Sequence, residues 1–298
     1  MALTFLNLQD IVLDLIEMDD TTTRTRVGQF INMAGRDVWY RYAWPERQKT
    51  AFTSTTPPYS TGTVVTTQDS ATVTGTGTTW TAAMDGTKFA LGYDQPWYTI
   101  TTRDSATQFT LDRNVVEDSA SGSTYVQYDD TITFASDCSE VINIMSGDPS
   151  RGAVLQPIAR VDLDGLTYLP RSTGTPLQYA MIEESSAGYR QARVWPIPDD
   201  EIGIQYHYLT TYTDLSADGD TPVLDESRVD LIVLGALRWA YLMAFESAKA
   251  QMVRDRYEQE LQRTWAHTKR RHPTTVVLRK FDDWTRWRNV VTLPVVDA

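Results

Sequence analysis

The feature of this sequence that most constrains its fold is a hydrophobic period that changes twice along the chain. Over the first 50 residues apolar positions recur at helical spacing, and from residue 51 the composition turns to Thr, Ser, Gly, Val and Tyr with a period of two. The helical period returns after the breaker "SADGDTPVL". We therefore predict an α+β fold: N- and C-terminal helices form one bundle, a small antiparallel β-domain is inserted between them, and the C-terminal tail is extended.

Two helices are predicted within residues 1–50. The acidic stretch "EMDD" ends the first helix, whose apolar positions are Leu3, Leu6, Ile11, Leu15 and Ile16. The second helix begins at a cap among the threonines at 21–23 and stops at "WP", because the residue before a proline is disfavoured in a helix. Its apolar stripe consists of Val27, Phe30, Ile31, Ala34, Val38 and Trp39.

Residues 51–130 are predicted to form the inserted β-domain. The peptide Asp-Ser-Ala-Thr occurs at 69–72 and at 104–107, and Asp-Ser-Ala returns at 118–120, each time before a run rich in β-forming residues. Asp and Ser side chains accept hydrogen bonds from backbone amides one or two residues on, which stabilises tight turns. The repeats therefore predict turns that precede strands of an antiparallel sheet.

Two glycines in "TVTGTGTTW" have the spacing that begins a phosphate-binding loop. Such a loop requires a lysine and a Ser or Thr after its second glycine, and a dinucleotide loop requires a third glycine before a helix. Neither follows Gly77. Gly75 and Gly77 lie between β-forming residues, where glycine is typical of a turn or bulge. We therefore predict that this stretch turns the chain and binds no nucleotide.

Residues 131–220 are predicted to form an irregular β-rich segment. Proline and glycine separate its strands, for which the candidate stretches are "CSEVINIMSG", "GAVLQPIARVDLDGL", "PLQYAMIEES", "YRQARVWPIPDDE" and "IGIQYHYLTTY". The result is a second sheet that is less regular than the insert.

Residues 221–272 are predicted to form the C-terminal helices of the bundle. Asp225 is placed to cap "RVDLIVLGALRWAYLMAF", which is apolar on nearly every side and so predicts burial against more than one neighbour. The next helix has an i, i+4 stripe of Val253, Tyr257, Leu261 and Trp265. Residues 273–298 follow a proline, have no helical period and are predicted to be an extended tail.

Composition excludes several classes of protein. The net charge is −12, which disfavours wrapping of a nucleic acid backbone, although residues 254–288 contain ten Lys or Arg against five Asp or Glu. No window is apolar enough to span a membrane, and the N-terminus does not have the pattern of a signal peptide. One Cys and three separated His argue against a disulfide and a zinc site, so we predict a cytoplasmic folding compartment, no metal and no cofactor.

No arrangement of residues indicates catalysis, and we predict that the protein is not an enzyme. Cys138 lies in the acidic "SDCSE", which raises the pKa of a thiol. Carboxylate pairs occur at 129–130, 183–184 and 199–200, and an alternative is a glycan-hydrolysing protein with Glu183 or Asp199 as the acid. We interpret these pairs as solvated surface.

Aromatic residues of the insert have two interpretations. They form either a glycan-stacking face or the packed interior of a small sheet, and the second is the more common use of aromatic side chains in strands. The residues are Trp80, Tyr93, Trp97, Tyr98, Tyr125 and Tyr128.

Aromatic and basic residues alternate in the tail segment "RKFDDWTRWRN". This pattern is compatible with stacking on nucleic acid, with docking to a protein, or with folding back on the same chain. Because Arg and Trp dominate protein interface hot spots and the body of the chain is acidic, docking to a protein is favoured. The candidate docking residues are Arg279, Lys280, Phe281, Trp284, Arg286, Trp287 and Arg288.

Taken in order, these segments resemble a known family. The two N-terminal helices ending in Trp-Pro, the insert with "SATVTGTGTTWTAAMDGTKFALG" and "YTITTRDSATQFTLDR", the stretches "STGTPLQYAMI" and "RVWPIPDDEIGIQYHYL", and the apolar helix resemble head-to-tail connector adaptors of tailed bacteriophages. The resemblance covers about residues 1–270. It implies a structural virion protein at the head–tail junction, assembled in the host cytoplasm.

The resemblance also implies partners. Adaptors of this kind form a ring, commonly of twelve subunits, that docks on the portal protein through a C-terminal tail, receives a tail or further connector protein, and continues the DNA channel. Double-stranded DNA passes through the lumen without specific binding, and no membrane is involved. A stopper or tail-terminator connector protein is the nearest alternative. The residues that we expect to pack the bundle and the subunit contacts are Leu231, Leu234, Leu237, Trp239, Leu242, Tyr257, Leu261 and Trp265.

Overall fold

Helices and antiparallel sheets make up the computed structural model, which describes residues 3–18, 20–147, 154–167, 172–224 and 226–271. The α+β class is as predicted, and strands outnumber helices in this part of the chain. The helices are α1 (Phe5–Ile16), α2 (Thr21–Arg41), α3 (Arg160–Thr167), α4 (Glu226–Met243) and α5 (Ser247–Arg271). The strands are β1 (Gln48–Ser54), β2 (Thr63–Thr66), β3 (Thr72–Thr76), β4 (Lys88–Ala90), β5 (Trp97–Ser105), β6 (Gln108–Leu111), β7 (Ala120–Ser123), β8 (Val126–Tyr128), β9 (Thr131–Thr133), β10 (Cys138–Ser146), β11 (Gln156–Pro157), β12 (Gln178–Met181), β13 (Gln191–Trp195) and β14 (Gly203–Thr210).

The N-terminal helices begin at side-chain caps. Thr4 and Asn7 form a capping box at α1, and the Asp20 carboxylate accepts a hydrogen bond of 2.9 Å from the Thr23 amide at α2. The prediction of a threonine cap is therefore wrong by one residue. The Asp20 carboxylate, and not a threonine hydroxyl, accepts the hydrogen bond from the free amide at the start of the helix. The predicted cap of α4, Asp225, lies outside the described residues.

Helices α1, α2, α4 and α5 pack around one core, which we call the helical cluster. Helix α4 contacts the other three, which explains why its sequence is apolar on nearly every side. Helices α2 and α4 approach each other closely, since a Cβ placed on Gly235 would lie 2.8 Å from the Cβ of Ala34. Trp39, Trp44 and Tyr257 are buried at the centre of the cluster.

One sheet contains seven antiparallel strands in the order β7-β2-β3-β6-β5-β4-β8. Two of the three predicted turns precede its strands: the Ser70 hydroxyl accepts from the Thr72 amide and the Ser105 hydroxyl from the Thr107 amide, both at 3.2 Å. In the third repeat the Ser119 hydroxyl instead accepts from the distant Gln68 amide at 3.0 Å, so that repeat joins two segments and forms no local turn. Gly77 has a φ of +72°, which favours glycine, so the turn predicted in "TGTG" is confirmed.

Two further sheets share a second core. The three-stranded sheet has the order β1-β14-β10, and the four-stranded sheet has the order β11-β12-β13-β9. Side chains from both sheets, including Ile144, Val194 and Tyr206, meet in one buried cluster. Strand β1 begins before residue 51 and pairs with β14, so it belongs to this part of the fold and not to the seven-stranded sheet.

Helix α3 corrects the prediction of a strand in "GAVLQPIARVDLDGL". Only Gln156–Pro157 of that stretch is a named strand, and Arg160–Thr167 is helical. Gly165 lowers intrinsic helix propensity by about 1 kcal/mol relative to Ala, which hides the helix in the sequence. Tertiary contacts override this cost, because Leu163 and Thr167, four residues apart, are both buried.

Candidate interaction surfaces

The predicted docking tail lies outside the described residues. This applies to the segment 273–298 and to Arg279, Lys280, Phe281, Trp284, Arg286, Trp287 and Arg288.

The predicted packing residues of α4 and α5 separate into two groups. Leu231, Leu237, Tyr257 and Leu261 are buried in the helical cluster, and Leu234 and Trp265 pack partly against it. Trp239 is half-buried beside a surface groove, and 45% of Leu242 is exposed. The structure thus brings six of these residues to the core and leaves Trp239 and Leu242 available to a partner.

Helix α4 ends in a turn that carries an exposed phenylalanine. The Glu246 amide donates to the Tyr241 carbonyl and the Phe245 amide to the Leu242 carbonyl, which is the Schellman arrangement of a helix end. Phe245 occupies the left-handed position, where glycine is usual, with a φ of 61°, and 95% of it is exposed. A bulky side chain at this position is strained and gains no burial within the chain. Both facts point to a contact outside the chain.

A groove of about 410 Å³ lies between α4 and α5 beside this turn. We call it the corner groove. The Arg238 guanidinium lies 4.8 Å from the centre of the Trp239 ring, and Arg254 lines the other side. The groove is therefore both apolar and positively charged. Its lining residues are Arg238, Trp239, Leu242, Ser247, Ala250, Gln251 and Arg254.

The outer face of α1 has the opposite charge. Residues 3–18 contain no Lys or Arg, and Asp10, Asp14 and Glu17 recur at i, i+4 and i+7. Exposed Leu6 and Met18 flank this acidic stripe. We call these five residues the acidic face of α1.

The aromatic residues of the seven-stranded sheet are mostly interior. Trp80, Tyr98, Tyr125 and Tyr128 are buried, and the Trp80 indole nitrogen donates a hydrogen bond of 2.9 Å to the Tyr125 hydroxyl. Tyr93 is exposed, and Trp97 is half-buried beneath the ammonium of Lys88. Four of the six rings therefore belong to the packed interior, as interpreted from the sequence, and do not form a glycan-stacking face.

A buried group of charges joins the seven-stranded sheet to the four-stranded sheet, and sequence reasoning missed it. Only 1% of the Asp130 side chain is exposed, so its interpretation as solvated surface is wrong. Its Oδ2 accepts hydrogen bonds from Arg193 Nε at 3.0 Å and Nη2 at 2.8 Å. Arg193 also binds Asp164 at 2.8 Å and Thr167 at 2.9 Å, which fastens α3 to the sheet. The partners are far apart in sequence, so no local signal predicts the group.

Lys88 completes this charge cluster from β4. Its ammonium lies 3.4 Å from the centre of the Trp97 ring, and burial lowers the pKa of Lys88 to about 8. Burial also raises the pKa of Asp129. Because Arg193 occupies the Asp130 carboxylate, the arrangement serves as a structural tie between sheets.

The other sequence candidates have structural surroundings. Glu183 and Glu184 are exposed, with Glu183 paired to Arg160 at 3.0 Å, and Asp199 and Asp200 are exposed in a turn. Cys138 is buried, and burial raises the pKa of its thiol to about 11.

Within the residues that the structure describes, no group of His, Cys, Asp or Glu has the geometry to hold a metal ion. None of the helices described here has the length and hydropathy to cross a membrane.

Comparison with known proteins identifies the family. Residues 106–279 match the family described as SU10 adaptor protein, and this region is more than half of the chain. It runs from the turn before β6 through every later strand, from β6 to β14, and both C-terminal helices. No curated protein matches the sequence. The resemblance inferred from the motifs is therefore confirmed, and the chain belongs to the SU10 adaptor protein family, a family of bacteriophage head–tail adaptors.

Proposed function

We propose that this protein is a non-enzymatic virion component that forms a ring beneath the portal, joins it to the tail and continues the DNA channel. The observation that carries the proposal, beside family membership, is the exposed Phe245 at a left-handed helix end. An aromatic residue that is strained and solvated in the single chain is stabilised when a partner covers it.

A ring explains the distribution of apolar residues on the helices. The helical cluster has its own core, yet Leu242 and Phe245 remain exposed beside the corner groove. Homo-oligomers usually have closed symmetry, and neighbouring subunits then cover what one subunit leaves exposed. We propose twelve copies, as the resemblance implies.

The proposed organisation follows the five segments of the sequence. The segments 1–50 and 221–272 supply the bundle, 51–130 the inserted β-domain, 131–220 the irregular β-rich part and 273–298 the docking tail. The core shared by α1, α2, α4 and α5, and the separate core of the seven-stranded sheet, support this division, except that β1 crosses the boundary at residue 50 and pairs with β14 of the irregular part. The insert lies at the periphery of the ring, where it faces head or tail proteins.

The charge of the chain supports passage of DNA through the lumen. The net charge of the chain is −12. A basic chain would instead neutralise DNA phosphates with Lys and Arg and hold the DNA in place. Double-stranded DNA therefore slides through the ring without specific binding.

The tail is proposed to dock on the portal. Its Arg and Trp residues are of the kinds that dominate interface hot spots. The test compares the full chain with a form that ends at residue 272, each mixed with the cognate portal ring and analysed by sedimentation and electron microscopy. A full chain with Phe281, Trp284 and Trp287 changed to Ala separates loss of anchors from loss of length.

We expect the full chain to bind and both altered forms to lose binding. Undiminished binding of the truncated form would contradict the docking proposal. Images of assembled particles distinguish an adaptor from a stopper or tail terminator, because an adaptor contacts the portal directly. Absence of the protein from the head–tail junction would overturn the whole proposal.

A further inference from the structure

The helical cluster presents two unlike surfaces on opposite flanks. On α4, Tyr241 follows Trp239 by two residues, and on α5, Lys249 precedes Gln251 by two. Residues two apart on a helix point about 200° apart. Trp239 and Gln251 line the corner groove, whereas the Tyr241 hydroxyl donates to the Leu15 carbonyl of α1 and Lys249 lies 5.4 Å from the Tyr241 ring. The corner groove and α1 therefore lie on opposite sides of the α4–α5 pair.

These two surfaces are complementary. The charged residues that line the corner groove are Arg238 and Arg254, and its apolar residues are Trp239 and Leu242. The acidic face of α1 offers Asp10, Asp14 and Glu17 between exposed Leu6 and Met18. Asp10 already pairs with Arg24 at 2.6 Å and Glu17 interacts electrostatically with Lys249 of α5, so Asp14 is the acid best placed for a partner. Opposite charges with apolar neighbours are the features that fix the register of an interface.

Symmetry then decides which partner fits. A two-fold contact would pair each surface with the same surface of the other subunit. Like charges would then face each other, which is unfavourable. A head-to-tail contact joins the acidic face of one copy to the corner groove of the next, and its repetition gives a ring when the rotation between copies closes. We infer that the acidic face of α1 seats in the corner groove of the neighbouring subunit, with Asp14 facing Arg254. This inference rests on the ring proposed above.

Charge reversal tests the pairing. Arg254→Glu and Asp14→Lys are made separately and together, and both residues are exposed, so the fold is expected to survive. Each single variant places like charges in every interface, and we expect the concentration needed for rings on the portal to rise about tenfold or more. The double variant restores opposite charges and is expected to recover assembly.

A mixture gives the sharpest readout. In an equimolar mixture of the two single variants, Asp14 of the Arg254→Glu chain faces Arg254 of the other, and the new Lys at position 14 faces the new Glu at position 254. Alternating rings are therefore expected from two chains that fail alone. Arg160→Glu is the matched control, because Arg160 is an exposed arginine on α3, which packs on β12 and β13 and not in the helical cluster, so assembly is expected to be unchanged.

The outcomes separate this inference from the ring itself. If wild-type rings form on the portal and the single variants assemble equally well, the pairing is wrong and the adaptor function stands. If the variants fail and neither the double variant nor the mixture recovers, the pairing is also wrong. If wild-type protein forms no ring on the portal, the proposed function fails and this inference falls with it. Circular dichroism of each variant checks that the fold is kept.

Discussion

Asp130 and Arg193 form a buried ion pair in which one carboxylate oxygen accepts two hydrogen bonds, at 3.0 and 2.8 Å. Asp130 lies just before β9 and Arg193 lies on β13, and Lys88 of the seven-stranded sheet stands beside them. The pair therefore lies where the seven-stranded sheet meets the four-stranded sheet. Its energetic weight can be measured, because a buried charge that loses its partner is strongly destabilising.

We predict that Arg193→Met lowers the free energy of unfolding by about 3–5 kcal/mol, since it leaves the Asp130 carboxylate buried without its cation. Urea denaturation measures the change. The matched control is Arg160→Met, whose partner Glu183 is solvated and whose loss is expected to change little. Equal effects of the two substitutions would show that the buried pair has no special weight.

Lys88 predicts a dependence of stability on pH. Its pKa is about 8 in the folded protein because of burial, against about 10.4 in an unfolded chain. Between these values the unfolded state holds a proton that the folded state has lost, so stability rises with pH. Equivalently, the stability that deprotonation of Lys88 adds at high pH is lost as pH falls towards 8.

The measurement is the difference in free energy of unfolding between wild type and Lys88→Met. We expect this difference to shift in favour of wild type from about pH 8 to about pH 10. Tyrosine ionisation contributes to both proteins and cancels. A difference that is flat over this range would mean that Lys88 is not desolvated.

The α2–α4 contact predicts intolerance of a side chain at Gly235. A Cβ there would lie 2.8 Å from the Cβ of Ala34, so the helices must separate. We expect Gly235→Val to lower the free energy of unfolding by about 1–3 kcal/mol. Gly165→Ala in α3 is the control: no heavy atom lies within 4 Å of the new Cβ, and a gain of about 0.4–1 kcal/mol is expected. Thermal unfolding of both variants measures the changes. Destabilisation at position 235 together with stabilisation at position 165 would show that the spacing between α2 and α4, and not helix propensity, sets the cost at Gly235.

Phe245 predicts opposite effects on stability and assembly. Because left-handed backbone costs a bulky residue about 1–2 kcal/mol, Phe245→Gly is expected to raise the Tm of the single chain. The same variant is expected to weaken ring assembly about tenfold or more, because it removes an aromatic anchor. Phe245→Tyr retains an aromatic side chain at this position and is expected to assemble like wild type. A variant with Gly that assembles like wild type would remove Phe245 from the interface.

The sequence by itself determined the elements that local spacing encodes. The stripe of Val253, Tyr257 and Leu261 determined one face of α5, and the serines of the first two Asp-Ser repeats determined turns, since each interaction joins residues only a few positions apart. The motifs also sufficed for the family.

Only the tertiary structure decided which distant segments meet. Strand β1 pairs with β14, α3 forms against a sheet despite its glycine, and Asp130 is buried because Arg193, 63 residues later, reaches it. The two flanks of the helical cluster arise in the same way, from the order in which α1, α4 and α5 pack. Such contacts depend on chain segments brought together by folding, and neither periodicity nor propensity records them.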